Sequence, residues 1–126
     1  MKSKKFIKIR GVNNLSDARY CAGMMVDVIG FNLNLNDQNC VDVELLKAIT
    51  QWIQGPEIAG EFDDMALEPI QTYLSQVDLD IIETSNSSLL APLSETGKKI
   101  YFKINIEDIN SEEELLNKIK EGQIAD

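Results

Sequence analysis

Short runs of apolar residues recur along the chain, and each has the length of a β-strand. The first run alternates apolar and basic residues from Lys5 to Arg10, and Gly11 is expected to end it. The later runs are nearly continuous in apolar character, which is typical of strands covered on both faces, as in parallel sheets. The predicted strands cover residues 5–10, 26–33, 58–62, 79–84 and 99–106.

Each predicted strand is followed by a segment with apolar residues at helical spacing. The predicted helices cover residues 15–24, 41–53, 65–77, 89–95 and a last segment after Ser111. Asp63 and Asp64 are expected to cap the third helix, and Ser111 with Glu114 forms a capping-box pattern before the last one. The stripe of the second helix is predicted to bury Val41, Leu45, Leu46, Ile49 and Ile53, and the last helix to bury Leu115, Leu116 and Ile119.

Five βα repeats with short connections predict an α/β fold, in which a parallel sheet is joined by right-handed helical crossovers. Residues 1–126 are expected to form one domain. Two architectures fit this pattern. One is an open doubly wound sheet, and the other is the first five units of a (βα)8-barrel; periodicity does not choose between them.

Composition removes several classes of function. The net charge of −9 argues against nucleic acid and against an anionic membrane surface as partners. The absence of histidine excludes a Ser-His-Asp triad and disfavours a metal site, so neither metal nor other cofactor is expected. Cys21 and Cys40 are too few for a disulfide framework and are expected to be free thiols, as in the reducing cytoplasm.

Two segments resemble the opening of phosphoribosylanthranilate isomerase, a barrel enzyme of tryptophan biosynthesis. Residues 8–18 read Lys-Ile-Arg-Gly-Val-Asn-Asn-Leu-Ser-Asp-Ala, where that family has Lys-Ile-Cys-Gly and then a hydrophobic residue, an Asn and an Asp-Ala pair. Residues 26–32 read Val-Asp-Val-Ile-Gly-Phe-Asn, like the family's Ala-Asp, two hydrophobic residues and Gly-Phe. Later segments match only in pattern. The resemblance implies a partial TIM (βα)8-barrel of about five units.

The same resemblance implies altered chemistry. The family's isomerisation uses a cysteine at the end of the first strand as general base and an aspartate on the sixth strand as general acid. Arg10 stands at the position of the cysteine, and an arginine stays protonated and does not act as a base. The sixth strand would lie beyond Asp126. We therefore expect a protein without normal isomerase activity, which is either a pseudoenzyme or an enzyme with altered chemistry.

Charged residues within the apolar strands mark a candidate site. In such barrels the functional residues lie at the carboxyl ends of the strands. Lys8 and Arg10 share a face of the first strand. A charged side chain in an apolar strand costs free energy unless it forms an ion pair or is exposed to water. The predicted substrate-binding residues are Lys8, Arg10, Gly11, Asn32, Glu61, Glu83 and Lys103. They would bind a small anionic or phosphorylated metabolite, or else form a structural ion-pair network.

Two further hypotheses about the function of the chain stay open. Five units leave two unpaired sheet edges, so the chain is expected to form a homodimer, and it could be a non-enzymatic binding or assembly module. Alternatively, the chain is a fragment of a longer barrel enzyme, because residues 123–126 resemble the family's lead into its sixth strand.

Overall fold

The computed structural model describes residues 5–104 and 111–122. The strands are β1 Lys8–Val12, β2 Val28–Asn32, β3 Glu57–Glu61, β4 Ile81–Thr84 and β5 Lys99–Phe102. The helices are α1 Leu15–Gly23, α2 Val43–Thr50, α3 Leu67–Gln76, α4 Leu90–Ser94 and α5 Glu112–Gly122. A 3-10 turn, Ser87–Leu89, precedes α4.

The described strands form one parallel sheet in the order β1-β2-β3-β4-β5. This order confirms the predicted α/β fold with β1 beside β2. It also decides between the two predicted architectures, because a doubly wound sheet reverses its strand order at a switch point and this sheet does not. Consecutive strands that stay neighbours are the arrangement of a barrel of βα units.

The two faces of the sheet are covered differently. Ile29 and Ile82 lie on the helix face, where they join a cluster with side chains from α1 to α4 such as Leu46 and Leu93. The opposite face, which corresponds to the interior of a barrel, carries a smaller cluster of Val28, Ala59 and Ile81, with Tyr101 packed against it. The alternation of strand side chains thus separates a large outer core from a narrow inner one.

Gly11 does not end the first strand, contrary to the prediction. The strand continues to Val12, and its register with β2 shifts between Ile9 and Val12. Gly11 adopts a φ of +71°, a conformation that costs little only for glycine. A bulge at this point is common near the rim of a sheet, where it redirects the backbone.

Local capping explains where most helices begin. Asn14 accepts a hydrogen bond from the Asp17 amide before α1, and the Glu114 amide donates to Ser111 Oγ at 3.1 Å, as predicted for α5. The predicted caps of α3 are wrong. Its N-cap is Ala66, which makes no side-chain cap bond, while Asp63 belongs to the preceding loop with a φ of +51°.

Three residues predicted to be buried are exposed. The exposed fractions are 42% for Leu45, 53% for Leu116 and 43% for Ile119. Leu45 lies beside the stripe of α2 that Leu46 and Ile49 bury, since one helical position changes the direction of a side chain by about 100°. Residues 105 and 106 of the predicted fifth strand lie outside the described residues. None of the helices in the described parts has both the length and the apolarity that a membrane crossing requires.

Candidate functional site

A cavity of about 330 Å³ opens at the carboxyl end of the sheet. Five of the seven predicted binding residues contribute to its wall, together with one residue that the sequence reading missed. The lining residues are Arg10, Gly11, Asn32, Glu61, Asp63 and Lys103. The parallel strands explain this convergence, because residues that end neighbouring strands meet at the same edge.

Glu83 holds the two basic residues of β1. Its Oε2 accepts a hydrogen bond from Arg10 Nη2 at 2.6 Å, and its Oε1 accepts one from Lys8 Nζ. The Lys8 ammonium also lies 5.2 Å from the centroid of the Tyr101 ring, within the range of a cation–π contact. Lys8 and Glu83 therefore belong to the cluster although they are not among the residues that line the cavity.

Glu61 lines the cavity and contacts two residues of β1. Its Oε1 accepts a hydrogen bond of 3.1 Å from the Gly11 amide, and its Oε2 lies 3.5 Å from Arg10 Nε. The bulge in β1 thus has a direct role, because it turns the Gly11 N–H toward this carboxylate. Glu61 and Glu83 are paired in register on β3 and β4, which places two carboxylates side by side under one guanidinium.

The environment shifts the acidity of both partners. Burial raises the pKa of Glu61 and the nearby charge of Glu83 adds to this, while Arg10, the Gly11 amide and Lys8 oppose it. Burial alone would lower the pKa of Arg10, but its hydrogen bond and charge interactions with the neighbouring carboxylates raise it. Arg10 therefore stays a cation, and Glu61 is the group in the cluster that burial pushes toward neutrality.

Asp63 and Lys103 form an ion pair in the lining of the cavity. Lys103 Nζ donates to Asp63 Oδ1 at 3.0 Å, and Asn34 Nδ2 donates to Asp63 Oδ2 at 3.3 Å. The sequence reading missed Asp63 because an acidic pair before a helical pattern suggests a cap. Its position two residues after Glu61, at the end of β3, was the signal that could have found it.

Asn32 faces the cavity but its amide is already engaged. Its Nδ2 donates to Asp37 at 2.9 Å, and its Oδ1 accepts from the Asn34 amide at 3.0 Å. The amide of Asn39 and the side chain of Asn32 together lower the pKa of Asp37. Asn32 therefore orders the loop after β2.

The depth of each charged group defines what the cavity offers to a ligand. The side chains of Arg10, Lys103 and Asp63 are 45%, 34% and 35% exposed, whereas those of Glu61 and Glu83 are 5% and 7% exposed. An entering ligand thus meets two cations and one carboxylate, with two more carboxylates buried beneath. The described residues contain no cluster of three or more histidine, cysteine, aspartate or glutamate side chains arranged to hold a metal ion.

Two solved structures with a similar fold are phosphoribosylanthranilate isomerases. Monomers of the dimeric phosphoribosylanthranilate isomerase from Thermotoga maritima match with a TM-score of 0.70 and 21% identity, over 91% of this chain and 60% of that chain. Phosphoribosylanthranilate isomerase from Thermus thermophilus matches with a TM-score of 0.59 and 21% identity, over 64% of this chain and 40% of that chain. No family model and no curated protein sequence matches.

The comparison confirms, at the level of the fold, the resemblance that the opening residues predicted. The five parallel βα units correspond to a partial barrel of the phosphoribosylanthranilate isomerase type. The chain spans at most 60% of the length of these two enzymes. Its fold is therefore a partial barrel that resembles phosphoribosylanthranilate isomerase. The activity and the ligand of this chain are addressed as proposals below.

Proposed function

We propose that this protein binds a small anionic or phosphorylated metabolite at the carboxyl end of its sheet and lacks normal phosphoribosylanthranilate isomerase activity. One observation carries the proposal: the partly exposed cations Arg10 and Lys103 flank a cavity of about 330 Å³, while two of the carboxylates that neutralise them are buried. The accessible charge is thus more positive than the composition of the cluster suggests.

The guanidinium of Arg10 retains capacity for a ligand. An arginine has five N–H donors in a planar fork, and the hydrogen bond to Glu83 uses one at Nη2. The remaining donors suit the oxygens of a phosphate or carboxylate, which arginine binds in a bidentate manner. Lys103, which lines the same cavity, supplies a second cation at the end of a flexible stem.

Binding of inorganic phosphate, measured by isothermal titration calorimetry, tests the proposal. The variant Lys103→Gln is expected to weaken binding roughly tenfold or more, since a hydrogen bond to a charged group contributes about 1.5–3 kcal/mol. Lys99→Gln is the matched control, because Lys99 begins the strand that Lys103 directly follows and pairs with Glu57 at the opposite end of the sheet. Equal effects of the two variants, or no phosphate binding by the unaltered protein, would refute the anion site.

The loss of isomerase activity is proposed from the resemblance. Arg10 occupies the position of the family's general base, and a positioned acid or base contributes about 10²–10⁴-fold to a rate. Arg10 is held here between Glu61 and Glu83, so it is a fixed cation rather than a proton acceptor. This replacement favours the interpretation that the protein is a pseudoenzyme, related to tryptophan biosynthesis by its fold. We also propose a cytoplasmic location, in line with the free thiols Cys21 and Cys40.

Exposed apolar residues around β1 favour assembly as a second role. Phe6, Ile7 and Ile9 are 63%, 43% and 36% exposed, and within the described residues β1 pairs with β2 alone. Ile9 is in register with the buried Ile29 and so lies on the helix face, where a covering element would bury it. A homodimer that joins these surfaces would bury both the apolar patch and an unpaired strand edge.

A further inference from the structure

One buried oxygen of the site has no hydrogen bond. Glu61 is 4% exposed, and no described residue donates a hydrogen bond to its Oε2. This oxygen lies against Gly30 of β2, where a β-carbon would stand only 2.1 Å away. The glycine makes room for the carboxylate without offering it a donor. A buried polar atom in this state calls for an explanation, because such atoms are nearly always paired.

The charged groups around Glu61 come from four parts of the structure. β1 contributes two cations, β4 a carboxylate, the loop after β3 a carboxylate and the residue after β5 a cation, whereas the facing residues of β2 are uncharged. These charged groups are Lys8, Arg10, Glu83, Asp63 and Lys103. Among them Arg10 forms the ion pair with Glu61, at 3.5 Å.

The two buried carboxylates differ in what remains to them when a ligand engages Arg10. Glu83 keeps its ion pair with Lys8. Glu61 keeps the Gly11 amide on Oε1, but its Oε2 has no hydrogen bond and must then share its nearest cation, Arg10, with the bound anion. A buried charge whose counter-charge is offset in this way is strongly unfavourable, and a carboxylate in that position takes up a proton instead. Burial already raises the pKa of Glu61 before any ligand arrives.

We infer that an anion bound in this cavity binds together with one proton, which is taken from solvent and held on Oε2 of Glu61. The inference rests on the proposed anion site and specifies the charge state in which the site is occupied. With the proton in place, Oε2 becomes a hydrogen-bond donor while Oε1 still accepts from the Gly11 amide, and the side chain is a neutral acid. The site therefore favours ligands that stay negatively charged at the pH of binding.

Sulfate is the probe, because it stays a dianion at the pH values of the experiment and exchanges no proton itself. Titration calorimetry in two non-phosphate buffers of different ionisation enthalpy gives the number of protons taken up per sulfate. We expect uptake that approaches one proton, and a sulfate Kd that falls by up to about tenfold per unit decrease in pH. The Cδ resonance of ¹³C-labelled Glu61 should move from its ionised toward its neutral position when sulfate is added.

Two variants assign the proton. Glu61→Gln is expected to bind sulfate with no proton uptake. Its residual dependence of Kd on pH reports the general change of charge in the protein. Glu57→Gln is the matched control, because Glu57 lies four residues away on the same strand and pairs with Lys99 at the opposite end of the sheet. It should keep the full proton uptake of the unaltered protein.

The outcomes separate the two proposals. Sulfate binding without proton uptake, or uptake that persists in Glu61→Gln, would overturn the role of Glu61 and leave the anion site standing. An unchanged Cδ resonance of Glu61 at saturating sulfate would do the same and does not depend on any variant. Failure of the unaltered protein to bind sulfate at any pH would overturn the anion site and this inference together.

Discussion

The substitution Gly30→Ala tests the packing of the site. Its β-carbon would lie 2.1 Å from Glu61 Oε2, 2.9 Å from Cδ and 3.4 Å from Cγ. Since 3.4 Å is the lower limit of ordinary contact, Oε2 must move by about 1.3 Å. A carboxylate that moves so far loses its present geometry with the Gly11 amide and with Arg10.

The expected destabilisation is about 1–3 kcal/mol. Overpacking of a well-filled site costs about 1–3 kcal/mol, and the loss of the Gly11 hydrogen bond adds about 1 kcal/mol. The lower conformational entropy of alanine in the unfolded chain offsets about 0.4–1 kcal/mol of this cost. Gly23→Ala is the control, because a β-carbon at Gly23 meets no atom within 4 Å.

Urea unfolding of four proteins measures the effect as a double-mutant cycle: the unaltered chain, Gly30→Ala, Glu61→Ala and the double variant. If the carboxylate is the obstacle, Gly30→Ala costs less than about 0.5 kcal/mol once Glu61 is alanine, so the coupling energy is close to the whole effect. An equal cost in both backgrounds would refute the reasoning and assign the strain to the backbone of β2.

Three further outcomes are expected. Because burial raises the pKa of Glu61, the folded state holds that proton more tightly than the unfolded state and loses stability as pH rises through the folded pKa. The free energy of unfolding of Glu61→Gln, relative to the unaltered chain, should therefore increase as pH rises from the ordinary titration range of a glutamate through the raised pKa, and a flat difference would contradict this. The chain should fail to complement a tryptophan auxotroph that lacks the isomerase, with the Thermotoga maritima enzyme as positive control, and growth at the control rate would show that Arg10 does not abolish the activity. Light scattering coupled to size exclusion at micromolar concentration should show a dimer that Ile9→Lys dissociates, whereas a 14.1 kDa species over a tenfold dilution would exclude the assembly role.

The order of strands and helices was predictable from the sequence because the type of each element depends mainly on the local pattern of apolar and polar residues. The strand and helix repeats fixed an α/β sheet, and the alternation within β1 correctly placed Lys8 and Arg10 on one face, where both reach Glu83. Boundaries were less accurate, since Gly11 was expected to end a strand that a bulge allows to continue. The exposure of Leu116 and Ile119 could not be predicted either. The residue pattern shows that a helix has an apolar stripe, but it does not show whether another element covers that stripe.

The geometry of the site depends on contacts between distant strands, which a single sequence does not display. Gly30 stood out only as part of the family resemblance, and its role as the space for a carboxylate follows from the β2–β3 register. The orphaned oxygen of Glu61 likewise appears only when β1, β2 and β3 are aligned. The sequence was sufficient to name the charged residues and to place them at the carboxyl end of the sheet. It was not sufficient to show which of them would have a hydrogen-bond partner for every polar atom.

The ion pairs at the two ends of the sheet differ in burial, and this difference predicts how ionic strength acts on the molecule. In the pair of Lys8 with Glu83 the side chains are 15% and 7% exposed, but in that of Lys99 with Glu57 they are 61% and 38% exposed. Dissolved ions screen exposed charges within about 10 Å at 0.1 M and reach buried ones far less. Added salt should therefore loosen the amino end of the sheet while the charged network around Glu83 keeps its arrangement. Halide or sulfate ions that bind to Arg10 would therefore act on the site by occupying it rather than by screening its charges.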